Sequence, residues 1–315
     1  MEEFVMKRKN VAEKVIRIPI TFPIIIIIAI SIIITGLIGT EIIIKSAKYI
    51  VSDSLMSGDG NFEYIELSDG TIEITKYIGA STEVIITETI DEKAVTSIGK
   101  QAFSNCKNLS SIEIPETIAN IGQRAFENCE NLIRINLPAN IESIPAYAFY
   151  NCKNLSDITM PNNLTTIGDS SFYNCKSLSS IQIPQNVASI EMTAFSHCEG
   201  LKEIKIPEKV KNIEYRTFYY CTNLVNIEIS EGVTSIGIAA FEHCENLSNI
   251  EIPQSVTELS GSAFDGCINL SNINVNIDNS KYMSENGIVF DKFKTEIIRY
   301  PEGNKPPCSR QPISG

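Results

Sequence analysis

Hydrophobic residues recur along most of the chain at a fixed interval of 23 residues. From Ile98 onward the pattern I-G-x-x-A-F-x-x-C-x-N-L-x-x-I-x-I-P occurs eight times without an insertion. A period of this length, kept in register, is typical of a solenoid, in which each unit buries its apolar face only by stacking on its neighbours. We therefore predict eight stacked 23-residue coils over residues 98–281.

Within one coil the spacing of the apolar residues changes. Ala102, Phe103 and Cys106 follow one another at the short intervals of a helical turn, whereas Ile112 and Ile114 alternate as residues of a strand do. A proline follows the strand in most coils and ends it there, because proline lacks the amide donor that a sheet requires. The predicted fold class is an α/β solenoid with short parallel strands, stacked about 4.8 Å apart.

The two ends of the repeat region differ from its middle, as capping units do. Polar and apolar residues alternate on both sides of Gly79, which predicts an N-terminal β cap over residues 70–97. Two apolar runs in residues 282–303 predict a C-terminal β-hairpin cap. Residues 304–315 contain three prolines and no periodicity, which predicts a disordered tail.

A long apolar segment precedes the repeats. The 23 residues from Ile18 to Thr40 carry no charge and include twelve isoleucines, and a helix of that length spans about 34 Å, enough for a bilayer core. Five Lys and Arg residues precede the segment, which predicts that the N-terminus stays in the cytoplasm. We predict a cytoplasmic segment at 1–17, a single transmembrane signal anchor at 18–44, a linker at 45–69, and a repeat region outside the plasma membrane.

A cleaved signal peptide is the alternative for this segment, since it also joins a basic region to an apolar one. Its apolar part is about 7–15 residues long and ends at a small-x-small site. The apolar run here is longer, and the nearest candidate sites, ending at Gly39 and Ala47, lack a small residue at the first position. The uncleaved anchor is therefore preferred, and a mature chain that starts beyond residue 40 would favour the alternative.

The repeat unit also carries a family resemblance. The unit I-G-x-x-A-F-x-N-C-x-N-L-x-x-I-x-I-P-x-x-V-T-S, as in residues 98–120 and 236–258, resembles the leucine-rich repeat of BspA-like surface proteins. The lead-in around Ile74–Gly79 and the segment at 286–303 are similar to recurring pieces of that family. The resemblance implies a right-handed coil with a parallel sheet on its concave face, displayed by bacteria and some protozoan parasites. It also implies a non-catalytic module that adheres to host matrix proteins or to other microbes.

The composition argues against several other functions. Against 26 Lys and Arg there are 38 Asp and Glu, a formal net charge of −12, and such a surface repels polyphosphate, so we predict no nucleic-acid partner. The chain has only two histidines, His197 and His243, and no nucleophile motif or phosphate loop. The two histidines lie two coils apart, about 10 Å, too far to share one zinc ion. We predict no catalytic residue, metal or cofactor, and an enzyme that uses these histidines is kept as the weakest alternative.

One cysteine occupies the same position in every coil. Equivalent side chains in stacked coils point in parallel, whereas a disulfide requires two Cβ vectors that converge. We therefore predict buried free thiols that act as small hydrophobic residues, with disulfides between coils as the alternative. The repeat cysteines are Cys106, Cys129, Cys152, Cys175, Cys198, Cys221, Cys244 and Cys267.

The candidate binding residues are the strand positions that vary while the repeat stays fixed. They flank the buried isoleucine of each strand, so they point outward and form two ladders across the sheet. Their mixture of charge and size favours a folded protein partner over a regular lattice, and a passive spacer in the cell envelope is the alternative. The first ladder contains Ser111, Arg134, Asp157, Ser180, Glu203, Asn226 and Asn249, continued by Asn272, and the second contains Glu113, Asn136, Thr159, Gln182, Lys205, Glu228 and Glu251, continued by Asn274.

Overall fold

The computed structural model of the chain describes residues 54–304. The predicted cytoplasmic segment and signal anchor lie outside the described residues, as does the predicted tail beyond residue 304. Within the described residues, no helix is long and apolar enough to cross a membrane. The account that follows therefore concerns the repeat region and its two caps.

The N-terminal cap is a mixed sheet that continues into the first coil. Strands β1 (Leu55–Met56), β2 (Phe62–Glu66) and β3 (Ile72–Tyr77) pair antiparallel, and β3 pairs parallel with β6 (Lys93–Ile98). A short strand, β5 (Thr89–Ile90), forms a hairpin with β6. The predicted linker at residues 45–69 is therefore wrong over its described part. This part contains β1 and β2, because Phe62 and Tyr64 of β2 alternate with polar residues and are buried in the cap.

One strand of each coil, apart from the coil between β11 and β14, contributes to a parallel ladder that we call the strand face. Consecutive strands are aligned with a shift of 23 residues, so that Arg134 lies opposite Asp157 and Glu203 opposite Asn226. Ser180, in the coil without a strand, joins the ladder only through a single bridge to Glu203. The strands are β4 (Glu83–Ile85), β7 (Ser111–Glu113), β9 (Arg134–Asn136), β11 (Asp157–Thr159), β14 (Glu203–Ile206), β16 (Asn226–Ile229), β18 (Asn249–Ile252) and β20 (Asn272–Val275).

A second parallel ladder runs where the sequence predicts only a turn into the next coil. Its strands are two residues long and place an inward isoleucine or leucine beside a polar residue that is exposed or half-buried. It begins at β6, which pairs with the first of these short strands. They are β8 (Asn120–Ile121), β10 (Ser143–Ile144), β12 (Thr166–Ile167), β13 (Ser189–Ile190), β15 (Asn212–Ile213), β17 (Ser235–Ile236) and β19 (Glu258–Leu259).

The predicted helical turns are absent from residues 54–304, where each is replaced by a run of tight turns that we call the turn face. Gln101 and Asn105 have left-handed φ angles of 60° and 64°, and the equivalent residues of the following coils repeat this conformation. The Phe103 amide donates to the Ala125 carbonyl of the next coil, at 2.8 Å, and not to a carbonyl four residues back. The α part of the predicted α/β class is therefore wrong. The described body is a β-solenoid whose one helical element is a 3-10 turn, η1 (Glu302–Asn304).

The interior is one continuous apolar column, as the period predicts. The eight repeat phenylalanines, from Phe103 to Phe264, are fully buried. Consecutive rings are stacked with their centroids between 5.2 and 5.7 Å apart. Tyr77 of the N-terminal cap takes the equivalent place and stacks on Phe103 at 5.4 Å. Each coil therefore shares its apolar contacts with the coils on either side.

The prediction of buried free thiols is confirmed for the eight repeat cysteines. Seven are buried and Cys106, in the first coil, is half-buried. From Cys129 onward each thiol donates to the carbonyl oxygen of the phenylalanine 26 residues earlier, as Cys198 does to Phe172 at 3.1 Å. Burial raises the pKa of Cys198 to about 12, so this thiol stays protonated and unreactive at neutral pH.

The C-terminal cap is an antiparallel meander of β21 (Tyr282–Glu285), β22 (Ile288–Asp291) and β23 (Ile297–Arg299). The hairpin predicted from the sequence corresponds to β22 and β23, and β21 is an additional strand. Arg299 ties the meander to the last coil, since its guanidinium forms an ion pair with Asp265 and donates to the Phe264 carbonyl at 2.7 Å.

Candidate protein-binding surfaces

The strand face presents the predicted ladder residues to solvent. Ser111 is half-buried and the other predicted residues are exposed, while the isoleucine between each outward pair, such as Ile135, faces the core. Residues of one ladder are adjacent in neighbouring coils, as Asn249 and Asn272 are. The structure thus brings the predicted residues together on one surface. Ser180 and Gln182 lie on it outside the assigned strands.

Charges on the strand face are placed in alternation. Lys205 and Glu228 form an ion pair across adjacent coils with a nitrogen–oxygen distance of 2.5 Å, and both side chains are more than half exposed. Exposed pairs of this kind contribute little to stability. Both groups are therefore available to a binding partner at small cost to the fold, as are Arg134 and Asp157, which lie opposite each other.

The turn face carries a second surface that the sequence analysis did not identify. Aromatic rings of successive coils stack on one another, with centroids 4.7 Å apart for Tyr150 and Tyr173, 5.1 Å for His197 and Tyr220, and 4.3 Å for Tyr220 and His243. The rings are half-buried. We call this surface the aromatic strip, and it contains Tyr147, Tyr150, Tyr173, His197, Tyr219, Tyr220 and His243.

The aromatic strip begins where a ladder of asparagines ends. The side-chain amides of Asn128, Asn151 and Asn174 each donate to the asparagine oxygen of the preceding coil at 2.7–3.0 Å. These asparagines have left-handed φ angles, a conformation that asparagine tolerates better than most residues. In the next three coils the same position holds His197, Tyr220 and His243, so rings replace the amide ladder. Replacement of a repeated asparagine by aromatic residues is the sequence signal for this surface.

Two arginines lie over tyrosine rings of this face, in different electrostatic settings. Arg124 lies 4.5 Å from the Tyr147 ring centroid and forms an ion pair with Glu127 at 3.0 Å. Arg216 lies 4.5 Å from the Tyr219 ring and 5.0 Å from the Tyr215 ring. Among residues 54–304 its side chain has no carboxylate or hydrogen-bonding partner, and its Nε is buried.

The two histidines are integrated into the ring stack. The Tyr220 ring lies between them, and burial lowers the pKa of His197, which favours its neutral form. Within the part of the chain that the structure describes, no three His, Cys, Asp or Glu side chains are grouped to hold a metal ion.

The comparisons with known proteins agree with the coil geometry. The family model described as the BspA type leucine rich repeat region matches residues 73–202 and 165–292, with six copies. The chain belongs to the BspA type leucine-rich repeat family. A comparison with the curated proteins found no match.

Solved structures of other leucine-rich repeat proteins resemble this BspA type chain. A leucine rich repeat protein from T. pallidum is 31% identical with a TM-score of 0.57, over 61% of this chain and 91% of that one. A leucine rich cell surface protein from Faecalibacterium prausnitzii is 31% identical with a TM-score of 0.55, over 79% of this chain and 62% of that one. A leucine-rich repeat protein from Bacteroides ovatus is 30% identical with a TM-score of 0.55, over 70% and 64%. The chain therefore spans less than two thirds of the last two.

Proposed function

We propose that the protein is a cell-surface adhesion module whose strand face binds proteins of a host matrix or of other cells. Two rows of outward side chains differ from coil to coil in charge and size while the buried frame repeats. This variation is the observation that carries the proposal, because a surface that recognises one folded partner needs different groups at each position. The BspA type repeat and the likeness to a leucine rich cell surface protein support it.

The proposed protein performs no catalysis. Proteins of this repeat family are generally non-catalytic binding modules, and the strand face presents side chains on an open sheet. The proposal also includes display outside the plasma membrane, held by the apolar segment at residues 18–44. A passive spacer in the envelope is the alternative, and it predicts that changes on the strand face have no effect on attachment.

Replacing Arg134, Asp157, Glu203 and Lys205 together by alanine is expected to reduce attachment of cells displaying the full chain to immobilised matrix proteins by at least about tenfold, because charged interface residues act as binding hot spots. The measurement is the number of cells retained on a panel of purified matrix proteins and on a second cell type.

The matched control replaces Glu142, Glu208, Lys209 and Lys211, which are exposed loop residues away from the strand face with the same charges. This control is expected to retain attachment. Release of the repeat region by protease added to intact cells verifies display for each variant. Equal attachment by the strand-face variant and the control would remove the strand face as the binding surface and favour the spacer.

A further inference from the structure

We propose that the aromatic strip, anchored by Arg216, is a second binding surface that takes an extended acidic segment of a partner protein. This surface lies on the turn face and uses none of the strand-face residues. The inference therefore goes beyond the proposed function and does not depend on it.

Arg216 supplies the recognition of a carboxylate. Its guanidinium is held over the rings of Tyr215 and Tyr219, and its Nε is buried without a partner. A planar guanidinium with free donors fits a carboxylate with two parallel hydrogen bonds. Arg124 shows the same arrangement with the position filled, because Glu127 already occupies its guanidinium. The structure thus contains one satisfied arginine and one whose acidic partner is not supplied by residues 54–304.

The orientation of the rings favours a peptide over a polysaccharide. The rings of Tyr150 and Tyr173 are within 8° of parallel, and those of His197 and Tyr220 within 15°. Their faces are therefore covered by one another, and their edges and hydroxyls are directed away from the stack. A sugar ring would need an open aromatic face, whereas tyrosine edges and hydroxyls provide contact area and hydrogen bonds of the kind found in protein-binding surfaces. Burial raises the pKa of Tyr219, so its hydroxyl remains a donor at neutral pH.

Length and charge define the segment further. The rings from Tyr150 to His243 cover five coils, or about 20 Å along the stack. About six residues of extended chain span that distance. The chain carries a formal net charge of −12, which disfavours a polyanion such as a sulfated polysaccharide. A short segment with one or two carboxylates is compatible with this charge.

The test selects random ten-residue peptides, displayed on phage, for binding to the full chain. We expect the selected peptides to share an Asp or Glu and to lose at least about tenfold in affinity for Arg216→Gln. Arg124→Gln is the matched control, since it removes the same contact with a tyrosine ring from an arginine that is already paired, and it is expected to keep the affinity within about twofold. Thermal unfolding of each variant is measured alongside.

Several results would overturn the proposal. These are the absence of any selected peptide, selected peptides without an acidic residue, and equal losses for the two arginine variants. Binding of a heparin fragment that depends on Arg216, in place of peptide binding, would assign the surface to a polyanion. If Arg216→Gln fails to fold, Arg216→Lys replaces it, because it keeps the charge and removes the planar fork. Unchanged peptide affinity in Arg216→Lys would also contradict the proposal.

Discussion

Phe172→Ala is expected to lower the free energy of unfolding by about 3–5 kcal/mol, the range found when a buried aromatic ring is removed. The Phe172 ring is fully buried between Phe149 and Phe195, each at a centroid distance of 5.3 Å. Its loss therefore leaves a cavity that two neighbouring coils share. Because folded domains are stable by about 5–15 kcal/mol, this one change removes a large part of the total.

The measurement for Phe172→Ala is urea unfolding of the full chain, followed by circular dichroism. Phe293→Ala is the matched control, since Phe293 lies in the C-terminal cap and is 85% exposed. Exposed substitutions of this kind change stability by about 0.5 kcal/mol or less. Similar losses in the two variants would show that the phenylalanine column is not the core of the repeat region.

Asn279→Ala is expected to cost at least about 3 kcal/mol and to release the C-terminal cap. The Asn279 side chain is fully buried and makes four hydrogen bonds with the backbone. Its amide donates to the carbonyls of Pro253 and Val256, both at 2.9 Å, and its oxygen accepts from the amides of Lys281 and Tyr282 at 2.9 and 2.8 Å. Alanine leaves these four groups unpaired, and each buried unpaired group costs about 1–3 kcal/mol.

The readouts for Asn279→Ala are the thermal unfolding midpoint and limited proteolysis of residues 282–304. Asn274→Ala is the control, because Asn274 is an exposed ladder residue nearby, and it is expected to behave as the unmodified chain. Cleavage within the cap at the same rate in both variants would contradict the role of Asn279 in joining the cap to the last coil.

The repeat and its core were predictable from the sequence because stacking imposes the same requirement on every coil. A residue that must be buried at Phe103 must be buried again at Phe126 and at each later step, so the period records the interior directly. The free thiols followed from the same argument. The outward direction of the strand ladders also followed, because the alternation within Ser111–Glu113 fixes which residues face solvent.

The helical turn was predicted wrongly because the spacing of Ala102, Phe103 and Cys106 fits both a helix and consecutive tight turns. The difference lies in where the amides bond. In the structure the Phe103 amide reaches the next coil, and this choice depends on stacking, which the spacing within one coil does not record. The left-handed residues preceding Ala102 and Cys106 carry the signal, and the repeated asparagine at the second of these positions was its visible part.

The aromatic strip and Asn279 were missed for a related reason. Tyr147, Tyr150 and Tyr220 occupy three different positions of the repeat, so their rings meet only once the coils are stacked. Asn279 lies beyond the last full repeat, where no second copy exists for comparison. Features that occur once, or that join different repeat positions, require the three-dimensional arrangement.

Amide hydrogen exchange of the full chain tests the central claim, that the repeat coils share one continuous interior outside which the binding residues lie. The account predicts strong protection of the phenylalanine amides at intervals of 23 residues, from Phe103 to Phe241, because each donates to a carbonyl of the next coil. It also predicts that protection is lost across neighbouring coils together in Phe172→Ala. Rapid exchange at these phenylalanine amides, or loss confined to the coil of residue 172, would contradict the account.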